Sequence, residues 1–268
     1  MSRAALLLVA LAACKGGGHG APFGPPERVA ALGEVADVVA DAGGVVALAS
    51  GDPGVRHGGT IVAVDGAGAV TTLDARIDGP GHLALTATDA YFLVPSGVQA
   101  AARSGDGART IARVDGATAI AIAGADVLVG AGGHLLAYDH DGAGRVLVAD
   151  AGSIADLAVD DAHVYWLDAG GRVVRARRDG TEVTVLAGDQ VEPAAMALAG
   201  DAVVWVTRGD PARQLAATVA TVPAAGGAVR VLQQGGQDDR AVAVDGGWVY
   251  WTDGTVEAGT VHRVRLTG

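Results

Sequence analysis

Apolar and polar positions alternate in short runs separated by turn residues, most completely in Leu157 to Gly188, LAVDDAHVYWLDAGGRVVRARRDGTEVTVLAG. Leu157 to Val159 is a brief apolar run ended by Asp160 and Asp161. His163 to Leu167 is β-branched and aromatic, and Ala169 to Gly171 turns the chain. Val173 to Arg177 then alternates apolar with basic, and Asp179-Gly180 leads into Val183 to Leu186. Short runs bounded by Gly and Asp read as strands, and an Asp-Gly pair between two of them reads as a tight hairpin. The stretch predicts a four-stranded antiparallel meander.

One meander cannot bury both of its faces, so copies of it are expected. Six occur. Their second strands are Val45-Val46-Ala47, Tyr91-Phe92-Leu93, Val127-Leu128-Val129, Val164-Tyr165-Trp166, Val203-Val204-Trp205 and Val249-Tyr250-Trp251. The third positions, 47, 93, 129, 166, 205 and 251, are spaced by 46, 36, 37, 39 and 46 residues, close to the propeller-blade period of about 40 to 50. Asp65-Gly66, Asp106-Gly107, Asp141-Gly142, Asp179-Gly180 and Gly226-Gly227 fall between the third and fourth strands of the first five copies. The sixth copy has no such turn after its third strand, Thr260 to Leu266. Arg28 to Leu32, ahead of the first copy, has the pattern of Val183 to Leu186. The expectation is an all-β, six-bladed β-propeller of four-stranded antiparallel blades over residues 27–268, closed by an N-terminal strand that completes the C-terminal blade. Such closure protects a strand edge that would otherwise invite aggregation.

Composition narrows the chemistry of the core. Half of the 268 residues are apolar but only 4% are aromatic, so the blades must pack mainly through Val, Leu and Ala. After the first residues no apolar period long enough for a globular helix appears. Residues 1–13 have a charged start at Arg3, a ten-residue apolar run and small residues at the end, the form of a secretory signal. The run is too short for a lasting membrane span, which needs about 20 residues.

Leu11-Ala12-Ala13-Cys14 resembles the lipobox of bacterial lipoproteins. The resemblance implies lipid transfer to the Cys14 thiol, cleavage before it and acylation of the new amino group. Cys14 is the only cysteine, and a lone thiol in an exported chain calls for such an explanation; an ordinary signal with an incidental cysteine is the alternative. Lys15, where an Asp would imply inner-membrane retention, implies the outer membrane of a Gram-negative bacterium. Residues 14–26, rich in Gly and Pro, read as a tether. The net charge of −11 without a basic run argues against nucleic acid as a partner.

Tyr250-Trp251-Thr252-Asp253, and Tyr165-Trp166-Leu167-Asp168 followed by Arg175 and Asp179-Gly180, resemble the YWTD repeat of six-bladed, LDL-receptor class B-like propellers. The set of six resembles propeller lipoproteins encoded in GC-rich Gram-negative genomes. Val204-Trp205-Val206-Thr207 keeps only the Trp, and the remaining copies depart further. The resemblance implies a blade-holding role for Tyr165, Trp166, Asp168, Trp205, Tyr250, Trp251 and Asp253.

Signatures of catalysis are missing from the chain. There is no Gly-x-Ser-x-Gly and no His-Glu-x-x-His. Asp139-His140-Asp141-Gly142 lacks the remaining ligands of a calcium loop and reads as a hairpin turn. Asp160-Asp161 and Asp238-Asp239 read as turns. His57, His82, His134, His163 and His262 lack metal-type spacing and read as surface or channel-lining residues. Neither a metal nor any other cofactor is expected, and no catalytic residue is assigned.

Loop length is more informative. From the aligned second-strand position to the outer hairpin the first five copies need 18, 13, 12, 13 and 21 residues. The excess falls between strands two and three of copies one and five, and copy six has a long connection from Thr252 to Gly259. In a closed ring these copies are neighbours. The expected binding rim therefore comprises Asp52, Arg56, His57, Arg208, Asp210, Arg213, Asp253 and Glu257; surface insertions without a binding role are the alternative reading of these loops. The function expected is that of a lipid-anchored cell-envelope binding or scaffold protein. It would sit on the membrane through Cys14 and present the rim to an envelope protein or small ligand. A metal-dependent hydrolase or lyase with its site at the channel mouth is the alternative.

Overall fold

The computed structural model describes residues 35–41, 44–49, 58–65, 69–236, 239–255 and 258–266. Every regular element in them is a strand, apart from one 3-10 turn at Pro211–Arg213. Sheet one contains β1 (Val35–Asp41), β2 (Gly44–Ala49), β3 (Gly59–Val64) and β4 (Val70–Ile77). Sheet two contains β5 (Leu83–Leu85), β6 (Asp89–Val94), β7 (Gly97–Ala102) and β8 (Ala108–Arg113). Sheet three contains β9 (Ala117–Ala123), β10 (Asp126–Ala131), β11 (His134–Asp139) and β12 (Gly144–Val148). Sheet four contains β13 (Ile154–Val159), β14 (His163–Asp168), β15 (Arg172–Arg177) and β16 (Thr184–Ala187). Sheet five contains β17 (Pro193–Ala199), β18 (Ala202–Thr207), β19 (Ala217–Pro223) and β20 (Arg230–Gly236). Sheet six contains β21 (Val242–Asp245), β22 (Trp248–Thr255) and β23 (Ala258–Arg265).

Each sheet is an antiparallel meander in chain order, so the blade plan of a β-propeller is present six times. Successive sheets pack face to face, because the second strand of a blade is buried on both sides. In β14, Trp166 packs towards sheet three with Leu128, Leu135 and Ile154. Tyr165 and Leu167, on the opposite face, pack towards sheet five with Met196, Trp205 and Val222. The period of two along one strand thus serves two interfaces. Comparable cores join sheets one and two through Leu48, Leu73 and Phe92, and sheets five and six through Val206, Val219 and Trp251.

The turn between third and fourth strands explains two glycines. Gly142 and Gly180 have φ of 90° and 86°, in the left-handed region. A Cβ on Gly142 would lie 2.2 Å from the carbonyl oxygen of Ile111, and one on Gly180 2.2 Å from that of Leu147, each on the outer strand of the preceding blade. The Asp-Gly hairpin is therefore also a blade-to-blade contact.

Two expectations change and a third is not reached. In the second copy the strand is right, but its frame moves by one residue. Thr86 N donates to Asp89 O as Asp160 N donates to His163 O, so Tyr91 corresponds to Tyr165, and Phe92 rather than Leu93 to Trp166. The long sixth connection is instead an extended hairpin, with β22 and β23 paired as far as Thr255 and Ala258. Asp253 accordingly lies in a strand. The closing segment 28–32 lies outside the described residues.

Candidate functional site

The meander sorts the connections onto two rims. Hairpins joining first to second and third to fourth strands lie at one rim; connections from second to third strand, and from each outer strand to the next inner strand, lie at the other. The inner strands β1, β5, β9, β13, β17 and β21 start at this second rim and pack against one another in that order. Close to their starts β1, β9, β13 and β17 bulge against their partners, as at Val35/Asp37 and Ile154/Asp156. By register Asp37, His82, Ala119, Asp156, Ala195 and Ala241 occupy the same position in the six blades.

Three of those six positions carry polar chemistry. Asp37 Oδ2 accepts from Leu83 N at 2.8 Å, and its Oδ1 accepts from Val38 N at 2.7 Å. Asp156 repeats the arrangement, with Met196 N at 2.8 Å and Leu157 N at 2.8 Å. Each carboxylate thereby ties its own inner strand to that of the next blade. Burial pushes both carboxyls up, Asp156 to about 6, against the opposing pull of the backbone N–H groups and of His82. The charge of His82 bears on both carboxylates and that of Asp37 on Asp156, and by register all three stand at the same rim. Among the described residues no three His, Cys, Asp or Glu side chains are grouped to hold a metal ion.

At the same rim the nine-residue connection from Thr207 to Ala217 is a compact turn. Asp210 Oδ1 accepts from Ala212 N at 3.0 Å and Arg213 N at 3.2 Å, capping Pro211–Arg213. Its Oδ2 lies 3.2 Å from Arg213 Nε. Asp210 and Leu215 also pair through their backbones. Gly209, at φ 70°, sits where a Cβ would meet Ala217 N and Leu215 O at 2.5 Å. Arg213 projects with 77% of its side chain exposed, and Arg208 is exposed at the entry to the loop. Asp253 lies 3.6 Å from His262 Nε2, and the His262 ring stacks on Trp251 at 5.3 Å. Asp52, Arg56, His57, Glu257 and Cys14 lie outside the described residues. Of the expected rim, the structure brings together Asp210 and Arg213. Between blades one and two a cavity of about 320 Å³ opens at this rim, lined by Asp74, Arg76, Asp78, Ser96 and Gln99. Arg76 there has a φ of 65°, on a bulge of β4.

The aromatic repeat residues have defined partners. Trp166 Nε1 donates to Ala151 O at 2.9 Å and Trp205 Nε1 to Gln190 Oε1 at 2.8 Å. Tyr165 donates its OH to Asp160 Oδ2 at 2.7 Å; burial and that carboxylate raise the phenol's pKa. Asp168 is buried and accepts from Gly170 N at 3.0 Å and from Arg172 Nε at 2.5 Å. Tyr250 is half-buried and Trp251 buried. Tyr91, hidden by the frame error, is the second-blade counterpart of Tyr165 and places its OH 2.6 Å from His140 Nδ1, on the next blade. Asp139 Oδ1 accepts from Asp141 N and Ala143 N, as a hairpin turn requires. Asp160 Oδ1 likewise organises its turn through Ala162 N and His163 N. Asp238 lies outside the described residues, and Asp239 is buried.

No protein-family profile and no curated protein matches the chain. Among solved structures it is similar to the computationally designed Ika8 protein, at 18% identity and a TM-score of 0.62, covering 87% of this chain and 71% of that one. It is also similar to the extracellular domain of the hybrid two component system BT4673 from B. thetaiotaomicron. There the identity is 12% and the TM-score 0.63, over 81% of this chain and 30% of that one. At such identities the likeness is one of fold: repeated antiparallel blades in a β-propeller architecture.

Proposed function

We propose that the chain is a lipid-anchored binding or scaffold protein of the cell envelope, without catalytic chemistry, which presents the rim bearing the Thr207–Ala217 connection to an envelope protein or small ligand. The observation that carries this reading is the build of that connection. Its carboxylate is used to hold the loop, while Arg213 projects from a rigid scaffold, the setting in which loops bind partners. In the same reading the ring is six-bladed and closed by residues 28–32 lying beside β23. Support comes from β23 itself: Val261 is 65% exposed, whereas third strands with an outer neighbour, such as β15, bury their apolar residues. Cys14 and the lipobox-like residues before it supply the anchor.

A photo-crosslinking residue at Ala212, in the full chain expressed in a Gram-negative host, tests the rim. A discrete adduct formed from Ala212 and not from Ala143, on the opposite rim, supports the reading. Equal adducts from both positions, or none from Ala212, end it. Recovery of wild type but not Cys14→Ser in the membrane fraction tests the anchor. A second reading, a hydrolase or lyase at the channel mouth, is favoured by Asp37, His82 and Asp156 standing at the same rim. Stoichiometric divalent metal in the purified chain, lost in Asp156→Ala, would move the assignment there.

A further inference from the structure

We propose that the cavity between blades one and two is a binding site for a small zwitterion, an α-amino acid with an apolar side chain, whose ammonium is taken by Asp74 and Asp78 and whose carboxylate is taken by Arg76. This site is separate from the Thr207–Ala217 connection and requires neither closure of the ring nor an anchor. Its volume of about 320 Å³ lies at the lower end of the range for small-molecule sites, about 300–1,000 Å³. The polar side chains that line it are uncommitted. Elsewhere Arg103, Arg109, Arg145, Arg172, Arg177 and Arg213 reach carboxylates of the fold. Arg76 forms no ion pair among the described residues, although Asp74 and Asp78 flank it in the chain. Asp74 Oδ1 accepts from the adjacent Ala75 N at 2.8 Å. The side chains of Asp78, Ser96 and Gln99 make no hydrogen bond among the described residues.

The backbone at Arg76 points the same way. β4 is bulged twice against β3: Leu73 is the extra residue between the pairs Ile61–Asp74 and Val62–Thr72, and Arg76 between the pairs Gly59–Ile77 and Thr60–Ala75. β20 of blade five is bulged twice against β19 in the same register, with Leu232 and Gly235 as the extra residues. At the second bulge Gly235 has φ of 118° and Arg76 has φ of 65°. Glycine takes such a backbone without steric cost. An arginine there carries strain that no side-chain pairing among the described residues accounts for, the mark of a position kept for binding. A bulge also removes its extra residue from the alternation of the strand and re-aims its side chain. Both signs of charge are thereby left open in one cavity. A simple anion meets two carboxylates there and a simple cation meets a guanidinium, whereas a ligand bearing both charges is complemented at both ends by charge-assisted hydrogen bonds. Ile77 and Val94, both buried, line the same cavity and offer an apolar surface to the ligand's side chain. The wall beside them is closely packed: a Cβ on Gly59 would meet Pro80 at 2.7 Å, and one on Gly79 would lie 3.4 Å from Pro95.

The test titrates the purified full chain with L-valine, and with two relatives that each lack one of its charges, 3-methylbutanoate and isobutylamine, by calorimetry and by melting temperature. L-valine should bind and raise the melting temperature, and each single-charge relative should bind at least tenfold more weakly. Arg76→Gly should weaken L-valine at least tenfold while the melting temperature of the free protein stays level or rises, because glycine suits that backbone. The same variant should bind isobutylamine no more weakly than wild type does, since the opposing guanidinium is gone. Asp210→Ala, in the Thr207–Ala217 connection, should leave L-valine binding unchanged, so that the two sites are judged separately. Absence of L-valine binding, or equal binding of the three compounds or of D-glucose, overturns the proposal. A fall in melting temperature in Arg76→Gly with L-valine affinity retained gives Arg76 a structural role and overturns it as well.

Discussion

Asp156 offers a test in which the sign and size of an effect both follow from its place between inner strands. Burial raises its carboxyl from 3.8 to about 6, despite two backbone N–H bonds and the influence of His82. Because the folded pKa is raised, the folded state binds the proton more tightly than the unfolded chain. The stability this provides is fully present below about pH 4 and is lost as pH rises through about 6. A shift of that size corresponds to about 3 kcal/mol. Asp156→Asn removes the titration, keeps one acceptor oxygen, and leaves either the Met196 or the Leu157 N–H without a full partner, at a cost in acid of up to about 1–3 kcal/mol. Denaturant unfolding of variant and wild type between pH 4 and 7.5 should therefore show the variant less stable in acid. The gap should shrink by about 3 kcal/mol towards neutrality, enough to close it or reverse its sign. Asp37, raised by the same burial and facing the same His82, titrates in both proteins, so the difference between the curves reports Asp156 together with its interaction with Asp37. Parallel curves, or a gap that widens as pH rises, would refute the assignment of Asp156 to a shielded inter-blade bond.

Other expectations follow from single contacts. Gly180→Ala should destabilise the fold well beyond the ~1 kcal/mol of left-handed strain alone, because its Cβ meets Leu147 O at 2.2 Å. Gly107→Ala, with φ 84° and nothing within 4 Å, should show only the strain; similar losses of thermal stability in the two variants would count against the blade-to-blade contact. Trp166→Phe leaves Ala151 O without its donor and opens space in the core, so a loss of about 2–3 kcal/mol in denaturant unfolding is expected. Asp210→Ala removes the acceptor for Ala212 N and Arg213 N, a local loss of about 1 kcal/mol. Cleavage by trypsin after Arg213 should accelerate while the melting temperature stays nearly constant.

The sequence alone determined the strands, their order and the blade period. Turn chemistry and β-branched runs are local, and an Asp-Gly pair between two such runs specifies a hairpin wherever it falls. The phase of the second blade could not be read in that way. Ala90 through Val94 are all buried, between two neighbouring sheets, so no polar alternation marks which residue faces which side; only pairing with β5 and β7 fixes the frame. The sixth connection was misjudged for a related reason, since Gly254 and Gly259 read as loop residues until cross-strand pairing makes them part of a hairpin. The cluster at the starts of the inner strands was the least legible feature. Asp37, His82 and Asp156 are far apart in the chain, and no spacing links them. Only the stacking of inner strands gives them one position in blades one, two and four and turns two ordinary aspartates into bonds between neighbouring blades.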